Sequence, residues 1–385
     1  MVTRYPRDPA RPHGGVEAVC VNLARALARF DDLAVEVVTL DDALREVEEQ
    51  SSNGVRVYRL PRQARSELWN AIGPGRRQIS EFLRKLGPDV VHAHDTYGLM
   101  VKGLRLPRVF TIHGFIYGDT LVSGERFAWA RSQLWRRIET SGWADQPRII
   151  SISPYVRERL AGICGGVIDD IDNPIGEASF DVHRQEEAGV VFSAAAICPR
   201  KNPLMLVEAA ARLVRAGVNL ELRLAGAITD DAYGARVAQA IRAHRLEEHV
   251  KLLGQLSSRD VMEELGRASV FALVSLEENS PMGIEEAMAA GVPVLTSNRC
   301  GMPYMVRNRE SGFLVDPTDV DDIAARLRLL LSDPALRLSM GGIGRAIALD
   351  RYHPDRVAAR TREVYLDAIA GPRRDGSAVS PAAPR

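Results

Sequence analysis

Along most of the chain, short runs of β-branched and aliphatic residues alternate with longer stretches in which apolar residues recur every three or four positions. The first pattern belongs to buried strands and the second to amphipathic helices, and their alternation predicts strand-helix-strand units that build parallel sheets. In the first half, strands are expected at Val35–Leu40, Val55–Leu60, Asp89–His94, Arg108–His113 and Arg148–Ser153. In the second half they are expected at Gly189–Ala196, Leu220–Ala227, Val250–Leu256, Ser269–Leu276, Val292–Ser297 and Gly312–Val315. Between them, Val16, Val19, Cys20, Leu23 and Leu27 fall at helical spacing, as do Leu204, Val207, Ala211 and Val214. Each set of strands suffices for its own open sheet. The chain therefore reads as an α/β protein of two domains with a cleft between them, and its 385 residues are too many for one compact core.

The polar stretch from Asp181 to Ala188 marks the expected boundary, giving domains over 1–182 and 186–350. A further helix is expected over 354–370, followed by a Pro-, Gly-, Ser- and Ala-rich tail, 371–385, expected to be disordered. The opening "MVTRYP" reads as the last residues of a first strand, either a short one or one whose start has been lost.

Composition narrows the function class. Hydrophobic residues make up 46% and charged residues 26%, as in a soluble globular protein. Fifty basic residues balance fifty acidic ones, so no whole-protein field argues for a nucleic-acid partner. Cys20, Cys164, Cys198 and Cys300 are far apart, which suggests neither a zinc site nor a disulfide framework and fits a reducing cytoplasm. No apolar run approaches the ~20 residues that span a bilayer, and the N-terminus has no signal-peptide core. A cytoplasmic protein is expected, either free or seated on a membrane face.

Ligands of open parallel sheets bind beyond the carboxyl ends of the strands, which directs attention to the loop after each strand. After the first come His13-Gly14-Gly15-Val16-Glu17, paired glycines that permit positive φ and close backbone approach at a helix N-terminus, or that serve a tight turn alone. Asp95 comes after "DVVHAH", and His113-Gly114 after "RVFTI"; a histidine there is a core or turn residue as readily as a functional one. In the second half, "VVFSAAA" leads to Cys198-Pro199-Arg200-Lys201-Asn202-Pro203. Two cations at a helix start oppose the macrodipole, so either an anion such as phosphate compensates them or they sit in a solvated loop. "SVFALVSL" runs to Glu277-Glu278, and Ser280-Pro281 are expected to cap the next helix. Glu285 and Glu286 project about 100° apart on that helix, so one of them at most faces the cleft and the other is expected to face solvent or a cap.

Glu278, seven residues, then Glu286-Ala287-Met288-Ala289-Ala290-Gly291-Val292-Pro293-Val294 resembles the signature of the retaining glycosyltransferases of family 4. Gly14-Gly15-Val16-Glu17, "PDVVHAHD", "TIHG", "PRKN", "VKLLGQLSSRDV" and "SGFLVDPTDVDDIA" resemble the same family in the same order, from about Met1 to Asp333. The resemblance implies the GT-B fold: two Rossmann-like, doubly wound parallel-sheet domains facing a central cleft, with the last helix crossing back to the first. It implies a nucleoside-diphosphate-sugar donor as co-substrate, no cofactor and no metal, and a glycan, lipid-linked or small-molecule acceptor. By the same resemblance Glu286 binds the ribose hydroxyls and Glu278 the transferred sugar. Lys201, helped by Arg200, balances the diphosphate, and the Gly283 and Ile284 amides complete the cradle. Gly15, beside Gly14, lets the first-domain loop approach donor or acceptor, with Asp95 nearby, and His113 lies across the cleft against the donor sugar. Retention is expected by front-face attack in which the leaving phosphate takes the acceptor's proton. The Asp pairs Asp31-Asp32, Asp41-Asp42 and Asp230-Asp231 read as caps and solvated loops rather than a metal grip.

Three positions depart from the family pattern: Ala195 and Ala196 stand where an arginine is usual, Asn279-Ser280-Pro281-Met282 replaces an aromatic-glycine pair, and Tyr304 replaces an acidic residue. Two local patches bear on the acceptor. Arg56 to Lys85 carries eight basic residues (Arg56, Arg59, Arg62, Arg65, Arg76, Arg77, Arg84, Lys85) against Glu67 and Glu81, around Trp69, and Arg126 to Arg137 mixes Phe127, Trp129 and Trp135 with four arginines. These read either as solvated faces with aromatics in the core or as contacts with an anionic membrane surface or a lipid-diphosphate acceptor. Two rival functions stand beside a transferase: a nucleotide-sugar epimerase of the same fold, and a catalytically silent nucleotide-sugar-binding module.

Overall fold

The computed structural model describes residues 1–12, 14–64, 66–122 and 127–371; His13, Arg65, Arg126 and residues 372–385 of the tail lie outside them. The first sheet system contains β1 (Val35–Asp41), β2 (Glu48–Ser52), β3 (Val55–Pro61), β4 (Val91–His94), β5 (Arg108–Ile112), β6 (Arg148–Ser151) and β7 (Val167–Asp170). The second contains β8 (Val190–Ala194), β9 (Glu221–Ala225), β10 (Val250–Gly254), β11 (Val270–Leu273), β12 (Val294–Ser297) and β13 (Gly312–Val315). Every expected strand overlaps an observed one. β2 and β7 were not anticipated. β2, "EEQSS", carries no apolar alternation because it is an exposed antiparallel edge on β3.

The second sheet runs β10-β9-β8-β11-β12-β13, parallel throughout, so the chain reverses its direction of growth between β8 and β11. The first consists of β1-β3-β2 and β4-β5-β6-β7. Val2 joins them, bridging Val38 of β1 and Ala93 of β4 in parallel, with its N–H 2.8 Å from His92 O. "MVTRYP" thus occupies the central strand position, although only Val2 makes bridge pairs. Both lobes therefore have the Rossmann-like order, which places a crevice at the carboxyl ends beside the reversal.

Buried apolar faces hold each lobe. In the second, Phe192 of β8 and Phe271 of β11 are fully buried and meet edge to face, 6.2 Å between ring centroids. In the first, Cys20, Leu23 and Leu27 of the helix Gly15–Leu27 share one cluster with Val357, Ala358 and Tyr365 of the helix Pro354–Ala370. The last helix therefore returns from the second lobe to the first, where Arg362 pairs with Asp32 and Asp367 with Arg148. Residues 184–187 of the expected boundary are tied to the second lobe, through Arg184 to Leu265 O and Ala268 O and through Glu186 to Arg337.

Candidate functional site

The loops after β8 and β11 flank the reversal of the second sheet. Asn202 ends the first loop in the left-handed region, φ 58°, held by its side-chain amide donating to Val274 O (3.2 Å) and Pro317 O (2.8 Å). Leu276 N donates to Arg200 O (2.8 Å), tying the two loops together. Arg200 Nη1 then lies 3.0 Å from Glu278 Oε1 and 3.1 Å from Glu277 O, and Lys201 Nζ pairs with the same Glu278 oxygen. Part of the compensation expected for two cations at a helix start is thus supplied within the protein, by Glu278 and by Asp119, 3.6 Å from Arg200.

The next helix, Met282–Ala289, corrects three expectations. Ser280 does not cap it: Pro281 holds the N-cap position without a side-chain bond, and Ser280 Oγ donates instead to Glu285 Oε1 at 2.6 Å. Glu285 faces neither solvent nor a cap but is fully buried, and burial raises its carboxyl well above the usual range. The Ile284 amide donates to Pro281 O at 3.0 Å and its residue is absent from the cleft wall, so only Gly283 of the expected pair lines the cleft. Glu286 does face the cleft, where burial pushes its carboxyl up to about 7.

Across the cleft, Gly14 and Gly15 adopt no positive φ; Gly14 is extended at φ −169°, which any residue can adopt. What glycine provides there is space, since a Cβ on Gly14 would meet nothing within 4 Å and one on Gly15 would meet only Met282 Sδ at 3.7 Å. Asp95 Oδ1 accepts from His113 N at 3.0 Å. His113 bridges the lobes through its backbone: its carbonyl accepts from Asn279 Nδ2, 2.8 Å away on the opposite lobe. Its ring is held by protein on both sides, with Nε2 2.9 Å from His94 Nδ1 and a bond to Asn173, and burial lowers its pKa. Cys20, His94 and His113 place three atoms of metal-ligating type within 4.8 Å of one another. Each residue also has a protein partner, the Cys20 thiol lying 3.0 Å from Thr3 Oγ1.

A cleft of about 510 Å³ brings together Gly14, Gly15, Asp95, His113, Arg200, Lys201, Glu278, Gly283 and Glu286. It adds Asp119, Asn173, Glu277 and Asn279, which sequence reasoning did not select. Asn279 lay in the stretch that departs from the family, but its partner, a carbonyl 166 residues away, had no signal in the sequence. Burial, then Asp119, raises the Glu277 carboxyl; burial raises that of Asp119, and Arg200 at 3.6 Å partly offsets this. A second compartment of about 470 Å³ shares Met282 and Glu286 with the cleft and runs past Arg25, Arg29 and Arg259.

The profile of "Glycosyltransferase Family 4" matches residues 13–175, and that of "Glycosyl transferases group 1" matches residues 175–346. The chain belongs to glycosyltransferase family 4. Glycogen synthase of Mycobacterium tuberculosis is 27% identical over 321 residues, 76% of this chain and 73% of that protein. Sucrose-phosphate synthase from Thermosynechococcus elongatus superposes with a TM-score of 0.79 at 20% identity, covering 96% of this glycosyltransferase and 99% of that chain. Anabaena HepE in complex with UDP and glucose superposes with a TM-score of 0.72 at 16% identity, covering 94% and 98%. The last two likenesses establish the GT-B fold of this glycosyltransferase.

The two basic segments fare differently. Arg59 is buried and donates to Tyr5 O and Pro6 O, Arg62 pairs with Glu67 and Arg56 with Glu36, so part of the first is engaged within the lobe, while Arg77, Arg84 and Lys85 are exposed. In the helix Ala128–Ala144, Trp135 packs on the core, whereas Trp129 is 69% exposed and Phe127 just before the helix 70%. No helix among the described residues is long and apolar enough to cross a membrane.

Proposed function

We propose that this glycosyltransferase moves a sugar from a nucleoside diphosphate to a glycan, lipid-linked or small-molecule acceptor, without a metal and with retention of the anomeric configuration. One observation carries the reading: Arg200, Lys201, Glu278 and Glu286 of one lobe line a single cleft with His113, Asp95 and Gly15 of the other. The diphosphate enters between Lys201 and the N-terminus of the helix Met282–Ala289, where the Gly283 amide and the helix dipole favour negative charge. Arg200 and Lys201 then exchange part of their pairing with Glu278 for the phosphates, which frees Glu278 to accept from the sugar hydroxyls. Glu286 accepts from the ribose diol. In the transfer the acceptor oxygen forms the new bond to the anomeric carbon, the bond from that carbon to the phosphate oxygen breaks, and the acceptor's proton passes to the departing phosphate. Fixed cations and the helix N-terminus stabilise that charge as it develops.

The protein is assigned to the cytoplasm, peripheral on the inner face of the membrane, with the exposed Phe127 and Trp129 and the exposed Arg136 and Arg137 of the same segment as its contact with anionic lipid. The test of the transfer is incubation with uridine, guanosine and adenosine diphosphate sugars, with and without acceptor extract, following nucleotide release, product mass and the anomeric NMR signal. Acceptor-dependent release with a retained anomer supports transfer. Isomerised donor without release points to an epimerase, and binding without turnover to a silent module.

A further inference from the structure

Beyond the nucleotide cleft, the first lobe encloses a smaller space of about 180 Å³ that opens onto the cleft through Val16, Asp95, Gly114 and Asp119, which line both. Its floor is apolar, formed by the buried Leu99, Phe110, Ile112 and Trp143. Its wall carries three carboxylates, Asp95, Asp119 and Glu139, against one cation, Arg4. Arg4 is committed elsewhere, to Glu67 at 2.6 Å. Arg200, the cation beside Asp119 at 3.6 Å, belongs to the opposite lobe and lies closer to Glu278. The wall is therefore short of positive charge.

Glu139 is the deepest of the three acids, 5% exposed in the middle of the helix Ala128–Ala144. Its Oε1 and Oε2 accept from Ile116 N (3.0 Å) and Tyr117 N (2.9 Å), the first amides of the helix Ile116–Val122. Among the described residues no cation pairs with it, and each oxygen retains a second lone pair. Burial pushes its carboxyl up to about 7, with Asp95 and Asp119 adding to the rise. That is the behaviour of carboxylates gathered in a low-dielectric space without a counter-charge. An ammonium group entering there would supply the counter-charge, whereas a phosphate would meet three acids of its own sign.

We propose that this cavity receives the acceptor, and that the part entering it is a single polyol ring carrying an ammonium group. The inference rests on the transferase reading above. The floor suits the C–H face of one ring laid on Trp143, and the cavity has room for one ring rather than an oligosaccharide. The carboxylates accept from the ring's hydroxyls and its ammonium, and a hydroxyl held between Asp95 and Asp119 stands at the opening into the donor cleft. A phosphorylated ring is excluded by charge.

The test is equilibrium binding of three probes, glucosamine, glucose and glucose 6-phosphate, to the full chain by calorimetry, after titration of UDP, GDP and ADP under the same conditions. The expected order is glucosamine tightest, glucose next and glucose 6-phosphate weakest, with about tenfold or more between the ends of the series. Glu139→Gln is expected to bring glucosamine to within about twofold of glucose. Equal affinities, the reverse order, binding of none of the three, or an undiminished amine preference in Glu139→Gln overturns the proposal. Should that variant fail to fold, the order in the unaltered protein decides. The nucleotide titrations stand apart: failure of all three to bind counts against the transferase reading, whatever the order of the ring probes.

Discussion

The two walls of the cleft are built in opposite ways. In the second lobe, the charged residues come from two adjacent loops and satisfy one another: Arg200, Lys201 and Glu278 meet at one carboxylate oxygen. In the first, Asp95, Asp119 and Glu139 come from three separated segments; Arg4 is turned to Glu67, Arg200 of the opposite lobe reaches Asp119 at 3.6 Å, and Glu139 has no cation among the described residues. The second-lobe wall is thus a set paired internally, which an anionic ligand must reorganise, and the first-lobe wall carries more acid than cation, which a cationic ligand can complete. Under the function proposed above, the difference suits diphosphate on one side and a non-anionic ring on the other.

The sharpest break in that contrast is removal of the cluster at the second wall. Lys201→Ala and Glu278→Ala are each expected to lower the rate of nucleotide release by about 10²- to 10³-fold, the range for losing one preorganised charge-stabilising group. Because the two side chains are partners, the double variant is expected to fall short of the sum of the single effects. Near-normal rates in either single variant would remove these residues from the site.

A smaller effect concerns Glu286. Its carboxyl, raised by burial to about 7, is largely neutral at pH 6 and ionised at pH 8, and the ionised form is the better acceptor for a diol. Nucleotide affinity is expected to rise by up to about tenfold across that interval, and Glu286→Gln to flatten the profile. Stability runs the other way: a carboxyl whose folded pKa lies above its unfolded value contributes most below the unfolded pKa. That contribution is lost as pH rises from about 4.5 to about 7, a trend Glu286→Gln should weaken in urea unfolding without nucleotide.

Asn279→Ala removes a single hydrogen bond between the lobes, to His113 O, worth about 1 kcal/mol. About a fivefold rise in the donor KM is expected, with stability nearly unchanged; an unaltered KM would mean that this bond does not help to hold the walls together. The smallest effect is at the exposed start of the helix Ala128–Ala144, where Trp129→Ala is expected to reduce flotation with anionic liposomes severalfold. A parent protein that stays in solution would contradict the membrane assignment.

The same contrast explains what the sequence discloses. Strand runs such as "VVFSAAA" and the helix of Leu23 and Leu27 are legible because burial imposes their periodicity, and Glu278 and Glu286 because they lie within one short motif. The ends of elements are less legible. Ser280 has the chemistry of a cap, but a buried Glu285 close by offers its hydroxyl an acceptor with no other side-chain partner, and the backbone loses the competition. Glycine pairs suggest a left-handed turn, yet Gly14 is extended and its lack of a side chain serves space in the cleft. Glu139, Asp119 and Asn279 are invisible for another reason: their partners, Ile116, Arg200 and His113, are set by tertiary folding and leave no spacing to read.

The most direct measurement of the donor wall is a crystal structure with a nucleoside diphosphate bound. The diphosphate is expected within about 3 Å of Lys201 Nζ and Gly283 N, with the ribose diol on Glu286 and Glu278 withdrawn from at least one of its two cations. A diphosphate bound away from Lys201 and Gly283, with the Arg200–Lys201–Glu278 cluster unchanged, would contradict the assignment of that wall to the donor.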